Sequence, residues 1–333
     1  MDTIGLDLHK RECQLCTLTE AGEIEERRIA TTRERFDAVL GTRAPARILL
    51  EASTESEWVA RHLESLGHEV IVADPNFAPM YATRQRGVKT DRRDARTLAE
   101  ALRLQAYRAI HRASPAQRHV RAQLAVRDAL IRTRTRYVNV VRALTRRDGL
   151  RLASGNPEHL ERKLTALGLD PQLAAEIAPL RTVLEPVNVE IERANVLLAA
   201  TAGADPLIAR LCTMPQIGKV TAVAFVATLD DVARFRTAHQ VAGYLGLTPR
   251  EYSSGERQHR GRISKTGNPR MRAILVEAGW RILRSNDPAL ATLRAWAEQI
   301  AARRGRHIAA VALARRVSGI LFALWRDGTT YRE

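Results

Sequence analysis

The sequence predicts an α/β domain followed by mainly helical regions, a fold class of α/β plus α. Strand-like segments, alternating or apolar, are confined to residues 1–110. Long stretches with helical apolar spacing fill residues 115–203, and residues 204–333 are basic and mainly helical. A chain of 333 residues is too long for one ordinary domain, so we expect two or three.

The first part of the chain contains four predicted strands. TIGLDLHK and RECQLCTLTE alternate like strands, and RILLEAS and HEVIVADP suit short buried strands. Before the last of them, ESEWVARHLESLG has helical spacing and ends at a glycine, which suits a helix C-terminus. Strands separated by helices predict a layered sheet.

The middle of the chain carries two long amphipathic stretches, QLAVRDALIRTRTRYVNVVRALTRR and PQLAAEIAPLRTVLEPVNVEIERANVLLAA. They suit an extended or coiled-coil arm, but ordinary core packing produces the same apolar stripe. In the last third, we expect a Gly/Ser-rich loop at residues 253–268 within a helical region.

The charge predicts a polyanionic partner. The net charge is +16 and the isoelectric point is about 10.8, and each cation placed on a phosphate releases a counterion. Arginine outnumbers lysine by 48 to 5, which a GC-rich genome produces without functional pressure. Four of the five lysines nevertheless lie in motifs, which indicates a need for a compact ammonium there: Lys10, Lys89, Lys219 and Lys265.

Membrane insertion and export are not predicted. The most apolar stretch, Ile308–Trp325, is interrupted by Arg315 and Arg316. The N-terminal residues lack a basic segment followed by an apolar one. We therefore expect a cytoplasmic protein that does not contact a membrane.

The three cysteines do not predict a zinc site or a disulfide framework. Cys13 and Cys16 have CxxC spacing, but no second pair or histidine cluster accompanies them. We expect them to be small apolar residues on a strand or turn.

Four acids form a candidate metal site. Asp7 lies inside an apolar strand, where aspartate is disfavoured, and Glu51 closes a second strand. Asp91 and Asp94 are three residues apart in KTDRRDAR, near the start of a helix and on one side of it.

The acids have a simple explanation and a chemical one. Singly, such residues are commonly solvated or suit the positive end of a helix dipole. As a set, they can hold two Mg²⁺ ions about 3.5–4 Å apart for phosphodiester chemistry. Oxygen ligands favour Mg²⁺ or Mn²⁺ over zinc. Cations beside the acids would neutralise the site and contact a DNA backbone: Lys10, Lys89, Arg92 and Arg93.

Two basic motifs lie in the last third. MPQIGKVTAVAFVATL, which contains Lys219, resembles a helix-hairpin-helix whose backbone N–H groups can face a phosphate, although an ordinary turn between helices explains it equally well. Residues 250–272 hold seven Arg or Lys against two Glu on Gly-rich backbone, which favours phosphate binding. The candidate residues there are Arg250, Arg257, Arg260, Arg262, Lys265 and Arg270.

Ser254 precedes a glycine in that basic segment. A serine in SSG is usually a turn residue. No His/Asp partner lies at recognisable spacing, so an acyl-transfer triad is not predicted.

In combination these motifs resemble the DEDD-type insertion-sequence transposases, family one-ten with its eleven-eleven subgroup and the Piv-type invertases. The motifs occur in the family's order: IGLDLHK, LLEAS, VKTDRRDARTLAEAL, MPQIGKVTA and GYLGLTPREYSSGERQHRGRISKTGN. The resemblance covers nearly the whole chain and is weakest in the helical middle.

The resemblance implies three domains. These are a RuvC-like, ribonuclease-H-type domain over residues 1–148, a helical coiled-coil oligomerisation segment over 149–203, and a C-terminal transposase domain over 204–333. It also implies that Ser254 is the nucleophile, with Ser253 beside it as the alternative. The acids that match the family's metal ligands are Asp7, Glu51, Asp91 and Asp94.

The resemblance further implies partners. Donor and target DNA would be recombined by a homo-oligomer, dimer or tetramer, in which one subunit's acids work with another subunit's serine. In some members an RNA encoded beside the gene pairs with both DNAs. The expected setting is the nucleoid of a bacterium or archaeon.

Three other functions compete with this interpretation. A Mg²⁺-dependent junction resolvase that uses water needs the acids but not Ser254. An actin-like ATPase is disfavoured because His9 and Lys10 follow Asp7 where small residues normally admit phosphates. A non-catalytic nucleic-acid-binding protein leaves Asp7 unexplained.

Overall fold

The computed structural model describes residues 1–82, 90–203, 205–252 and 260–332. Contacts divide the chain into two compact units, Met1–Arg112 and Ala113–Glu333, called unit 1 and unit 2 below. The three functional domains bounded at residues 148 and 203 remain a prediction.

Unit 1 is built on a five-stranded mixed sheet with the strand order β3-β2-β1-β4-β5. The strands are β1 (Thr3–Leu8), β2 (Glu12–Leu18), β3 (Ile24–Ala30), β4 (Arg47–Glu51) and β5 (Glu69–Ala73). The helices are α1 (Arg33–Leu40), α2 (Ser56–Ser65) and α3 (Asp91–Arg103), with a 3₁₀ turn at Ala78–Tyr81. The first three strands are antiparallel, whereas β4 is parallel to β1 and β5 is parallel to β4.

The predicted α/β character of unit 1 is confirmed. All four predicted strands are present, and α2 lies in the predicted helical segment, with Gly67 at φ +93° just beyond it. Strand β3 was missed. It lies at the sheet edge, and of its seven residues only Ile29 is buried, so it lacks the apolar alternation that identifies a strand.

The two faces of the sheet carry different layers. Residues such as Leu6 and Ile48 pack with Phe36 of α1 and Leu63 of α2. The opposite face packs against α3, through residues that include Leu49 and Leu98. Cys13 and Cys16 are buried on β2, as expected, and burial raises the pKa of both thiols to about 11.

Unit 2 is mainly helical. Its elements are α4 (Pro115–Arg147), α5 (Leu160–Leu167), α6 (Pro171–Gly203), α7 (Pro206–Leu211), α8 (Lys219–Leu229), α9 (Ala238–Tyr244), β6 (Pro249–Glu251), β7 (Arg260–Ile263), α10 (Pro269–Arg284), α11 (Ala291–Arg304) and α12 (Arg306–Asp327). Helices α4 and α6 are each 33 residues long and pack against each other. Their contact lies where the arm was expected, and its coiled-coil character remains a prediction.

The core of unit 2 surrounds α8. Every residue from Thr221 to Leu229 is buried, and α10 and α12 pack around the same cluster. The helix begins at Lys219, after a turn from α7, so two helices do flank the predicted hairpin motif. Phosphate binding by that turn remains a prediction.

The basic segment differs from the loop that was expected at residues 253–268. Arg260–Ile263 form β7, which pairs with β6 as an antiparallel hairpin. The strands were missed because they have three and four residues, too few to show a period. Residues 253–259, which include Ser253, Ser254 and Arg257, lie outside the described residues.

Among the described residues, α12 is the one helix that is long and apolar enough to cross a membrane. Half of its most apolar window is buried within the protein, where the helix contacts α9, α10 and α11. These contacts explain its apolar composition as that of a core helix.

Candidate metal centre

Two of the predicted acids lie at the same edge of the sheet. Leu6 pairs with Leu50 in the parallel register of β1 and β4, and Asp7 and Glu51 are the next residue of each strand. Both acids lie on the face that packs against α3, because residues at alternate strand positions share a face. Sheet geometry therefore places these two acids on one face, at the same end of neighbouring strands.

Gly5 allows α3 to pack closely against β1, near Asp7. A Cβ at Gly5 would lie 2.0 Å from the carbonyl oxygen of Ala95 and 2.4 Å from the backbone nitrogen of Ala99, so only glycine allows this approach. Gly5 is two residues before Asp7 and on the same face. Its role was not predicted from the sequence, although a glycine inside a strand signals close backbone approach.

The first turn of α3 supplies the other two acids. Thr90 caps the helix, and its hydroxyl accepts a hydrogen bond from the amide of Arg93 at 3.3 Å. Asp91 and Asp94 then lie in the first turn, where the helix dipole favours them. The simple explanation of these acids therefore also holds.

His9 joins the acids and was not recognised from the sequence as part of the site. Its Nε2 lies 3.4 Å from Oδ2 of Asp7 and 3.5 Å from Oδ1 of Asp91. The three side chains can point one ligand atom each into a space less than 4.8 Å across. The spacing Asp-x-His at a strand end was the available signal.

The surroundings of Asp7 disfavour the charged form of its carboxylate. Its side chain is 15% exposed, and its Oδ2 is buried without a hydrogen bond, since the contact with His9 has only ion-pair distance. Burial raises the pKa of Asp7 to about 6; His9 opposes this rise, and the charges of Asp94, Asp91 and Glu51 add to it. An unsatisfied carboxylate oxygen among like charges fits a divalent cation.

Glu51 is held by a residue outside every predicted motif. The hydroxyl of Tyr81, at the end of the 3₁₀ turn, donates a hydrogen bond of 2.6 Å to Oε1 of Glu51. The same hydroxyl lies 3.1 Å from the carbonyl oxygen of Pro75. Tyr81 therefore orients a carboxylate of the site without belonging to the acidic set.

Comparison with known proteins decides the family. A model described as a transposase, of the DEDD type named for IS110, matches residues 4–147, and one described as transposase of the IS116/IS110/IS902 family matches residues 208–294. A probable family 20 transposase of Pseudomonas aeruginosa is 31% identical over 100% of this chain and 99% of its own length. The chain belongs to the IS110 family of transposases.

A second relative extends the comparison. The transposase for insertion sequence element IS1111A of Coxiella burnetii is 29% identical over 99% of this chain and 91% of that protein. The resemblance inferred from the motifs is thereby confirmed. Family membership makes the protein a DNA-cleaving and rejoining enzyme, and the DEDD domain implies a RuvC-like fold and the use of a divalent metal.

In unit 1 of the transposase, the predicted nucleic-acid-binding residues have different environments. Lys10 is exposed just beyond β1. Arg92 is exposed but forms an ion pair with Glu26 of β3. Lys89 lies outside the described residues.

In unit 2 of the transposase, most of the predicted binding residues are exposed. Arg270 is the exception, because it is half-buried with its Nε 3.3 Å from Oδ2 of Asp128 on α4. Only the backbone of Arg260 is described, and Arg257 and Ser254 lie outside the described residues. The exposed residues are Lys219 at the start of α8, Arg250 and Arg262 on the β-hairpin, and Lys265 beyond it.

Proposed function

We propose that this transposase exchanges DNA strands through a covalent phosphoserine–DNA linkage formed by Ser254, beside a Mg²⁺ site. The observation that supports the metal site is the buried Oδ2 of Asp7, which has no hydrogen bond although Asp91 and His9 surround it. The serine is assigned by its position in the family motif.

The proposed ligands of the metal are carboxylates from three elements: Asp7 from β1, Glu51 from β4, and Asp91 and Asp94 from α3. Two Mg²⁺ ions, or Mn²⁺ in their place, would stabilise charge on the attacking and leaving oxygens of a phosphodiester. Tyr81 donates a hydrogen bond to Glu51, and His9 lies beside Asp7.

The proposed reaction needs no external energy source. The oxygen of Ser254 loses its proton and attacks phosphorus, and the bond from phosphorus to one sugar oxygen breaks. That sugar oxygen leaves with a proton, and the phosphoryl group stays on the serine. A hydroxyl of another strand then attacks the phosphoserine, which restores the serine and joins the strands.

The proposed partners are donor and target DNA, a structured guide RNA, and further copies of the chain. The net charge of +16 supports binding of polyanions. The composite active site, with acids and serine from different subunits of a dimer or tetramer, rests on the family resemblance. So does action at the bacterial or archaeal nucleoid.

The first experiment is a covalent-adduct assay. The protein is expressed with its flanking insertion-sequence DNA, the cells are lysed in detergent, and protein-linked DNA is measured. We expect an adduct in the wild type and in Ser253→Ala and none in Ser254→Ala. Asp7→Asn and Asp94→Asn should also lack the adduct and strand exchange, while nucleic-acid binding is largely retained because the cations that contact the backbone are unchanged.

Three outcomes would contradict the proposal. An adduct that persists in Ser254→Ala would assign the nucleophile to another residue. Cleaved DNA without any adduct would indicate a Mg²⁺-dependent nuclease that uses water. Loss of binding and folding together in Asp7→Asn would show that this acid is structural.

A further inference from the structure

Unit 2 contains a groove lined by apolar and cationic side chains. It has a volume of about 1160 Å³ and lies between α9, α11, α12 and the β6–β7 hairpin. Its floor is formed by small and aliphatic side chains, which include Ala242, Leu247, Ile263, Ala312 and Ile320. We call it the hairpin groove.

The rim of the hairpin groove is cationic. Its lining contains five Arg or Lys residues and no carboxylate among the residues that the structure describes. Within the same described part of the chain, no ion pair joins these five cations to an acid. They are Arg262, Lys265, Arg304, Arg315 and Arg316.

Two of the cations contact aromatic rings rather than carboxylates. The guanidinium of Arg316 lies 4.7 Å from the centroid of the Trp296 ring, a cation–π contact that leaves its charge uncompensated. Nη2 of Arg315 lies 3.1 Å from Nδ1 of His239. Neither guanidinium group has a carboxylate partner among the described residues.

An apolar floor beneath a cationic rim suits an unpaired nucleic-acid strand. Its bases have apolar faces that can be buried, while its phosphates reach the cations. A duplex hides the faces of its bases within the stack and would use only the rim. An apolar helix of a second copy would cover the floor but leave five cations without a counter-charge.

The position of the hairpin favours DNA. Pro249 on β6 and Arg262 on β7 line the groove, and the segment that joins these two strands carries Ser254. We propose that the hairpin groove binds an unpaired DNA strand during strand exchange, an inference whose DNA specificity rests on the proposed function.

The proposal is tested by binding of a labelled single-stranded DNA, a duplex of the same sequence, and an RNA of the same sequence. The test variant is Arg262→Gln/Arg304→Gln, since both side chains are exposed on the rim. The matched control is Arg146→Gln/Arg162→Gln, which removes two exposed arginines from outside the groove.

We expect the test variant to weaken single-stranded DNA binding about tenfold and to lower its salt slope by about 1.4, since each phosphate contact contributes about 0.7. Duplex binding should weaken less than single-strand binding, because a duplex contacts the rim without filling the groove. A second variant, Ala312→Leu, fills part of the floor with an aliphatic side chain without changing charge and should weaken single-strand binding selectively. Circular dichroism and thermal melting verify that the variants are folded.

Other outcomes would overturn the proposal. Equal losses in the test and control pairs would show general charge attraction only. A loss confined to RNA would assign the groove to RNA, and an altered oligomeric state with unchanged DNA binding would make it a subunit interface. Ser254→Ala should retain single-strand binding, so failure of the adduct assay and failure of the groove proposal are distinguishable.

Discussion

The acidic site of unit 1 and the hairpin groove of unit 2 handle like charge in opposite ways. In unit 1, Asp7 is buried among other acids, and its pKa rises to about 6. In unit 2, five cations lie around an apolar floor, and the most exposed of them are screened by water. Buried convergence of charge destabilises the protein until a counter-ion binds, whereas exposed charge at a rim costs little until a ligand is present.

The approach of the α3 acids to Asp7 depends on Gly5. Of the changes considered, substitution of Gly5 should disturb the acidic site most. We expect Gly5→Ala to lower the free energy of unfolding by about 2–3 kcal/mol, because its Cβ would overlap backbone atoms of Ala95 and Ala99 and push α3 away. Urea unfolding measures the loss. We expect Mg²⁺ to stabilise the wild type against unfolding. This stabilisation should disappear in Gly5→Ala, since Asp91 and Asp94 move with α3.

Two glycines of unit 2 serve as controls. Gly279→Ala meets the carbonyl oxygen of Ala310 at 2.4 Å and should destabilise the protein while Mg²⁺-induced stabilisation remains. Gly243→Ala meets nothing within 4 Å and should have no more than a small effect. If Gly5→Ala keeps full Mg²⁺-induced stabilisation, α3 is not positioned by this contact.

The raised pKa of Asp7 should make the stability of the metal-free protein depend on pH. A pKa raised from 3.8 to about 6 favours the protonated form in the folded state. The corresponding stability is fully present below about pH 4 and is lost as the pH rises through 6. Relative to Asp7→Asn, the wild type should therefore lose on the order of 2–3 kcal/mol between pH 4 and pH 8.

Unfolding of both proteins in EDTA across this pH range is the measurement. Added Mg²⁺ should abolish the difference in the wild type and leave Asp7→Asn unchanged. A difference between the two proteins that stays constant with pH would show that Asp7 has an ordinary pKa.

The smallest expected effect concerns Tyr81. Tyr81→Phe removes the hydroxyl that donates to Oε1 of Glu51, and loss of such an outer contact typically weakens metal binding about tenfold. Mg²⁺-dependent stabilisation and adduct formation should both need about tenfold more metal, with the same maximum at saturation. Tyr107→Phe is the control, since its hydroxyl contacts Arg47. A lowered maximum with unchanged metal dependence would contradict a positioning role.

The sequence was informative where a local pattern carries a spatial consequence. Alternation placed Asp7 on a strand, and helical spacing placed Asp91 and Asp94 on one side of α3. The contact of Gly5 with Ala95 joins residues 90 positions apart, and no local pattern encodes it.

The elements and residues that the sequence did not predict were missed because no local pattern marks them. The charged strand β3 and the hairpin strands β6 and β7 are too exposed or too short to show a period. The hairpin groove depends on how α9, α11 and α12 pack, so its residues have no common motif. Tyr81 is assigned to the site only by the hydrogen bond of its hydroxyl to Glu51, which the sequence does not reveal.

The charged edge strand β3 has a consequence for association between copies of the protein. It carries Glu25, Arg27 and Arg28, whose side chains are exposed along an outer border of the sheet. Charged side chains on an edge strand oppose the pairing of one sheet edge with another. The border of this sheet is thereby protected from adding a strand of a second copy.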